Sequence, residues 1–193
     1  MKKYICPYCS TVFASVEQLK EHVVMGHPSE PLPEPEGRVA FTVNGRKYSL
    51  SVEPQWTLYY VIHDILGLTG VKMFCDRGAC GSCTVIMDGR PILSCMKLAL
   101  HCHGSKIETA EGIAEGNHPL IDSYVKHHCM QCGYCTPGFV TTAKALLDKN
   151  PDPTDEEIRE ALGGNLCRCG TYPQHPKAIR EAAAKLKTSE EGR

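Results

Sequence analysis

From Arg38 to Val52 the chain alternates. Val39, Phe41 and Val43 are followed, across Asn44-Gly45, by Tyr48, Leu50 and Val52. Period-two apolar patterning on both sides of Asn-Gly predicts a β-hairpin. TVIMDGRPILSC repeats the theme around Asp88-Gly89, and KIETA offers another strand. TLYYVIHDILG predicts a short helix, with Thr57 near its start and Gly67 as a stop. Two hairpins and a helix imply a small mixed sheet with the helix lying across it.

From about residue 113 the period lengthens to that of a helix. HPLIDSYVKHHCMQ, GFVTTAKALLDKN and HPKAIREAAAKL carry it. Between the last two, TDEEIREALGG opens with Thr154 and Glu157 in capping-box positions and ends on glycine. A compact four-helix unit is predicted, with the terminal KTSEEGR frayed. Ahead of the first hairpin, PSEPLPEPEG (28–37) holds four prolines and three glutamates, the composition of an extended, semi-rigid linker. The expected plan is therefore α+β: a module at 1–27, the linker at 28–37, a sheet domain at 38–112, a helical domain at 113–188 and a tail at 189–193.

Composition narrows the function. The 193 residues carry a net charge of −1 and no dense Lys/Arg run, so bulk attraction to a phosphate backbone is not built in. There is no apolar run long enough to span a bilayer. The start MKKYICPYCS lacks the apolar core of a secretory signal, so a cytoplasmic chain is expected. Twelve cysteines are too many for an intracellular chain unless they bind something. They fall in tight CxxC and CxC clusters, which converge thiolates on one point and suit a metal better than long-range staples.

The first cluster is CDRGACGSCTVIMDGRPILSC. Cys75, Cys80 and Cys83 stand as C-x4-C-x2-C, with Cys95 after eleven more residues. This is the plant-type 2Fe-2S spacing. Gly78 and Gly81 can take positive φ and bring amides near the sulfurs without a Cβ clash. A structural zinc site would instead favour paired CxxC knuckles. The second cluster joins Cys132 and Cys135 of QCGYCTPG to Cys167 and Cys169 of NLCRCGTYP. Two helices intervene, so the four sulfurs are expected at neighbouring helix termini, where the dipole favours thiolate. Pro137 suits a first helical turn. Arg168 is either a nearby positive charge or a solvated surface residue. Spacing alone leaves this second set open to a cluster or to zinc.

Together, CDRGACGSCTV, LSCMKLA, QCGYCTPG and GNLCRCGTYP make the chain resemble the iron–sulfur subunit of the xanthine oxidase family of molybdenum hydroxylases, from about Arg38 to Leu186. The resemblance implies a ferredoxin-like β-grasp domain holding one 2Fe-2S cluster through Cys75, Cys80, Cys83 and Cys95. It implies a four-helix domain holding a second through Cys132, Cys135, Cys167 and Cys169. It further implies a molybdopterin-binding large subunit as electron source, an FAD-binding medium subunit as usual acceptor, and Gln131 as a pterin contact. The chain itself carries no GxGxxG fingerprint, so it reads as a relay. The other readings are a free-standing ferredoxin-like carrier and a zinc-dependent nucleic-acid regulator. Phe74 stands where the family commonly has glycine. The stretch between Tyr172 and the last helix reads as longer than usual. Cys102 and Cys129 have no family role and are expected to be buried bystanders. His101, His103, His127 and His128 lack ligand spacing and are expected to be exposed or locally hydrogen-bonded.

At the start of the chain, Cys6, Cys9, His22 and His27 fit the C-x2-C-x12-H-x4-H spacing of a ββα zinc finger, with Phe13 and Leu19 as its small core. Zinc would supply the folding energy so small a unit lacks. The base-reading positions would be Ser15, Gln18 and Glu21, beside Glu17, and this acidic set disfavours DNA. A structural docking module is expected instead.

Overall fold

The computed structural model describes residues 4–6, 11–26 and 37–191. The chain divides into two units, 1–36 and 37–193. In the first, β1 (Tyr4–Ile5) pairs antiparallel with β2 (Val12–Phe13), and α1 (Val16–Gly26) follows.

The second unit opens with a five-stranded mixed sheet of β3 (Arg38–Val43), β4 (Arg46–Ser51), β5 (Thr84–Met87), β6 (Arg90–Leu93) and β7 (Lys106–Glu108). The order is β4-β3-β7-β5-β6; β3 and β7 run parallel and every other pair antiparallel. Both hairpins turn on two successive positive-φ residues, Asn44 (49°) with Gly45 (79°) and Asp88 (50°) with Gly89 (77°). That backbone matches the twist of the flanking strands. Val39, Phe41 and Val43 face a core that includes Leu58, Val61, Ile62, Val85 and Ile107.

The helix expected over TLYYVIHDILG is shorter and wider than its pattern implies. Thr57 caps α2 (Leu58–Tyr60), its Oγ1 accepting from the Tyr60 N–H at 3.2 Å. The backbone then opens into a π turn over Val61–Ile65, the Leu66 N–H reaching the Val61 carbonyl at 2.9 Å. The wider turn keeps Leu58, Val61 and Ile62, all fully buried, on the sheet side. Gly67, at φ 72°, ends it.

The helical half contains α3 (Ala110–Glu115), α4 (Pro119–Lys126), α5 (Thr136–Lys149), α6 (Asp155–Leu162) and α7 (His175–Glu191). Among the described residues this is one helix more than expected, because α3 begins three residues before the pattern turns helical. The helix expected through HHCMQ stops at Lys126, and His128 takes φ 51°. The last two residues of KTSEEGR lie outside the described ones; over residues 187–191 the expected fraying is not found, since α7 continues to Glu191. Its Ala178, Ile179, Ala182 and Ala183 are buried, and Glu181 binds Lys126 (2.8 Å), His127 (2.7 Å) and Lys185 (2.9 Å). Packing on α4 therefore carries the helix past the point where sequence alone would let it fray. Leu120, Tyr124, Phe139, Ala143, Ile158 and Ile179 form the core of this half, and α5 also packs on β5 and β6. Among the described residues no helix is long and apolar enough to cross a membrane.

The capping box at α6 forms as expected. The Thr154 N–H donates to Glu157 at 2.7 Å, and Thr154 Oγ1 accepts from the Glu157 N–H at 3.3 Å. Thr154→Ala is expected to cost about 1 kcal/mol, lowering the thermal midpoint by about 2–4 °C in a calorimetric scan.

Candidate iron–sulfur sites

The loop from Cys75 to Cys83 wraps back on itself because three residues take positive φ: Asp76 (48°), Gly78 (73°) and Gly81 (73°). This turns amides toward sulfur, and the Ala79 N–H lies 3.3 Å from Cys75 Sγ. Cys95 sits in a 3-10 turn after β6 (Ser94–Met96). Ser94 fastens it to the loop, donating through Oγ to the Cys83 carbonyl at 2.7 Å. Cys80, Cys83 and Cys95 are buried and Cys75 half-buried. Cys75 lies beside Cys80, and Cys83 beside Cys95 and Cys80. The Arg77 amide leads a set of N–H groups that draws the Cys75 thiol down, whereas burial drives Cys83 up. Phe74, just outside, is 73% exposed.

The second set lies where α5 begins and where the loop after α6 ends. Cys135 is the N-cap of α5. Cys132 and Cys169 are exposed, Cys135 is half-buried and Cys167 buried. The four thiols are neighbours here too: Cys132 lies by Cys169 and Cys167, and Cys135 by Cys167 and Cys132. Burial, then the neighbouring Cys167, push the Cys135 thiol up to about 12. At Cys167 burial acts the same way but is overcome by the Thr171 hydroxyl, the amides of Thr171 and Gly170, and Cys135, leaving it at about 7. The Tyr134 amide, then Cys169, lower Cys132. The connection after Tyr172 is no long insertion: a 3-10 turn, Tyr172–Gln174, runs straight into α7.

The two sets are joined by a buried seam. The Leu166 N–H donates to the Cys80 carbonyl at 2.9 Å. Asn165 Nδ2 donates to the Gly81 carbonyl at 3.1 Å while its Oδ1 accepts from Thr142 Oγ1 at 3.1 Å. At the surface beside the seam, the Tyr134 hydroxyl donates to the Met73 carbonyl at 2.6 Å. Asn165 and Tyr134 brace the two sets in a way that sequence reading missed, since nothing in GGNLC or CGYC announces a partner so far away in the chain.

The donor chemistry fits a two-iron core. Each set brings four thiols together, and a 2Fe-2S core takes two thiolates at each of its two irons.

The remaining expected residues are placed as follows. Gln131 is exposed beside Cys132, and Arg168 is exposed. Cys102 and Cys129 are fully buried, and burial pushes both thiols up to about 11. His103 Nδ1 accepts from the Ala40 N–H at 3.3 Å. In the first unit Cys6 is buried, and the His22 ring lies 4.8 Å from that of Phe13. Cys9 and His27 lie outside the described residues.

Comparison with known proteins agrees with this geometry. The model for a 2Fe-2S iron–sulfur cluster binding domain matches residues 41–112, and that for a 2Fe-2S binding domain matches 109–180. The nicotinate dehydrogenase small FeS subunit of Eubacterium barkeri is 47% identical over 146 residues, 75% of this chain and 93% of that one. An aldehyde oxidoreductase iron–sulfur-binding subunit of Escherichia coli is 37% identical over 163 residues, covering 76% and 71% of the two chains. The crystal structure of quinoline 2-oxidoreductase from Pseudomonas putida 86 superposes with a TM-score of 0.73 at 43% identity, over 77% of this chain and 93% of that one. With both halves matched in order and the two thiol sets inside them, the chain belongs to the family of two-domain 2Fe-2S electron-transfer subunits of the molybdenum hydroxylases.

Proposed function

We propose that Cys75, Cys80, Cys83 and Cys95 hold one 2Fe-2S cluster in the domain at 38–112, and that Cys132, Cys135, Cys167 and Cys169 hold the other in the domain at 113–188. The observation that carries the assignment is the meeting of four thiols in each set, one set inside each of the two matched 2Fe-2S domains. A 2Fe-2S centre, when bound, accepts and releases one electron at a time. The chain supplies what tunes and protects it: amides at Cys75, a hydroxyl at Cys167, and burial of Cys80, Cys83, Cys95 and Cys167. The exposed set, with Cys132, Cys169 and Gln131 at the surface, is suited to face a molybdopterin-binding large subunit, with Gln131 contacting the pterin. An FAD-binding medium subunit is the proposed acceptor on the side of the other set. Reductive titration of the anaerobic chain tests this reading: uptake of about two electrons supports it, from one per centre, and uptake of none contradicts it.

The first unit is proposed as a zinc-holding module with Cys6, Cys9, His22 and His27 as ligands, docking on a partner subunit. Its ββα element order and the buried Cys6 support this. About one zinc per chain is expected by metal analysis, from the single ligand set. Cys6→Ser should remove it and leave the iron unchanged; loss of iron together with zinc would contradict a separate module.

A further inference from the structure

An imidazole is buried beside the second thiol set. His175 opens α7 and is 1% exposed. Its ring lies flat on Phe139, with centroids 4.2 Å apart and planes 6° apart, and tilts against Tyr124 at 5.4 Å. Nδ1 has no hydrogen-bond partner among the described residues. Nε2 stands 3.3 Å from Thr171 Oγ1, and that oxygen stands 3.1 Å from Cys167 Sγ. Imidazole, hydroxyl and sulfur therefore form one buried file.

A hydroxyl has a single proton to give. When the ring carries its proton on Nε2, it donates to Thr171 Oγ1 and leaves the hydroxyl proton for the sulfur. When the proton sits on Nδ1, Nε2 becomes an acceptor, takes the hydroxyl proton, and the sulfur receives nothing. A negatively charged sulfur selects the first arrangement, because an O–H donated to a charged acceptor is the stronger bond. Burial lowers the ring's pKa to about 4, so near neutral pH it is the tautomer that varies, with the ring uncharged.

We infer that Thr171 and His175 are positioning residues for the Cys167 sulfur: His175 holds the Thr171 hydroxyl proton on that sulfur, and the resulting bond raises the reduction potential of the helical-domain centre. The inference rests on the reading that Cys167 is one of that centre's four ligands. Its physical basis is that a hydrogen bond to a ligand sulfur stabilises the added negative charge of the reduced form.

The test is an EPR-monitored redox titration of the anaerobically purified full chain. In Thr171→Val, which keeps the shape and removes the hydroxyl, one signal is expected to shift to lower potential. Its reduced-to-oxidised ratio, at the poise that half-reduces the wild type, should fall about fivefold, the factor of one ordinary hydrogen bond. His175→Phe keeps a ring on Phe139 and should move the same signal the same way by less. Thr171→Ser should retain the wild-type potential. Because the ring acts only through the hydroxyl, the double variant should lie no lower than Thr171→Val alone. Additive shifts in the double variant, equal shifts of both signals, or two unmoved potentials would overturn this inference while leaving the ligand assignment standing. A wild type lacking two signals would overturn both.

Discussion

Cys83→Ser is expected to halve the iron of the anaerobically purified chain, from about four atoms to about two, and to abolish one of two EPR signals, as the loss of one two-iron centre requires. Cys83 is the thiol that the sheet domain can least easily replace. It is buried in the core with Val39 and Val85 and lies beside Cys95. Its carbonyl also anchors Ser94, which holds the turn carrying Cys95. A serine there removes a thiolate donor and puts a hydroxyl into an apolar environment, at roughly 1–3 kcal/mol if that hydroxyl stays unsatisfied. The other set shares no ligand with Cys83, so its signal should persist. Iron analysis and EPR on one preparation decide the matter: iron unchanged, or both signals lost with the fold intact by circular dichroism, would show that the two thiol sets are not separate centres.

Gly138→Ala is expected to destabilise the protein by roughly 2–4 kcal/mol, the range of an overpacked buried site, with a fall in the thermal midpoint on the order of 10 °C. The direction reverses the usual one. Gly138 lies in the first turn of α5, and replacing a helical glycine with alanine ordinarily gains about 1 kcal/mol. Here a Cβ would press against the Gly81 carbonyl oxygen closer than 3.0 Å, and would lie 3.2 Å from Ser82 Cα and 3.3 Å from Asn165 Nδ2. Those first two neighbours are backbone between two thiols of the first set and cannot swing aside. The same carbonyl accepts the buried bond from Asn165. The substitution should therefore loosen the seam itself, and faster hydrogen exchange at the Leu166 amide, which donates to Cys80, is the local readout. A variant as stable as the wild type would mean that the two halves do not depend on this contact.

Much of the fold could be read along the chain because its signals are local. Asn44-Gly45 and Asp88-Gly89 each fix a hairpin through their own backbone preferences, and Thr154 with Glu157 fixes a helix start within one turn. Cysteine spacing likewise grouped the thiols that the fold brings together. What stayed hidden depends on partners distant in sequence. Asn165 reaches a carbonyl 84 residues away, and Tyr134 reaches one 61 residues away. The π turn at Val61–Ile65 follows from which side chains the sheet buries, and no local pattern encodes it. The extension of α7 to Glu191 depends on packing against α4.

On the proposed assignment, two sets of four thiols each hold a two-iron, two-sulfide core. Iron and acid-labile sulfide, measured on the same anaerobic preparation as its visible spectrum before and after dithionite, test it most directly. About four iron and four sulfide per chain are expected, from two such cores, with visible absorbance that bleaches on reduction. A colourless chain holding only zinc, with no labile sulfide, would contradict it.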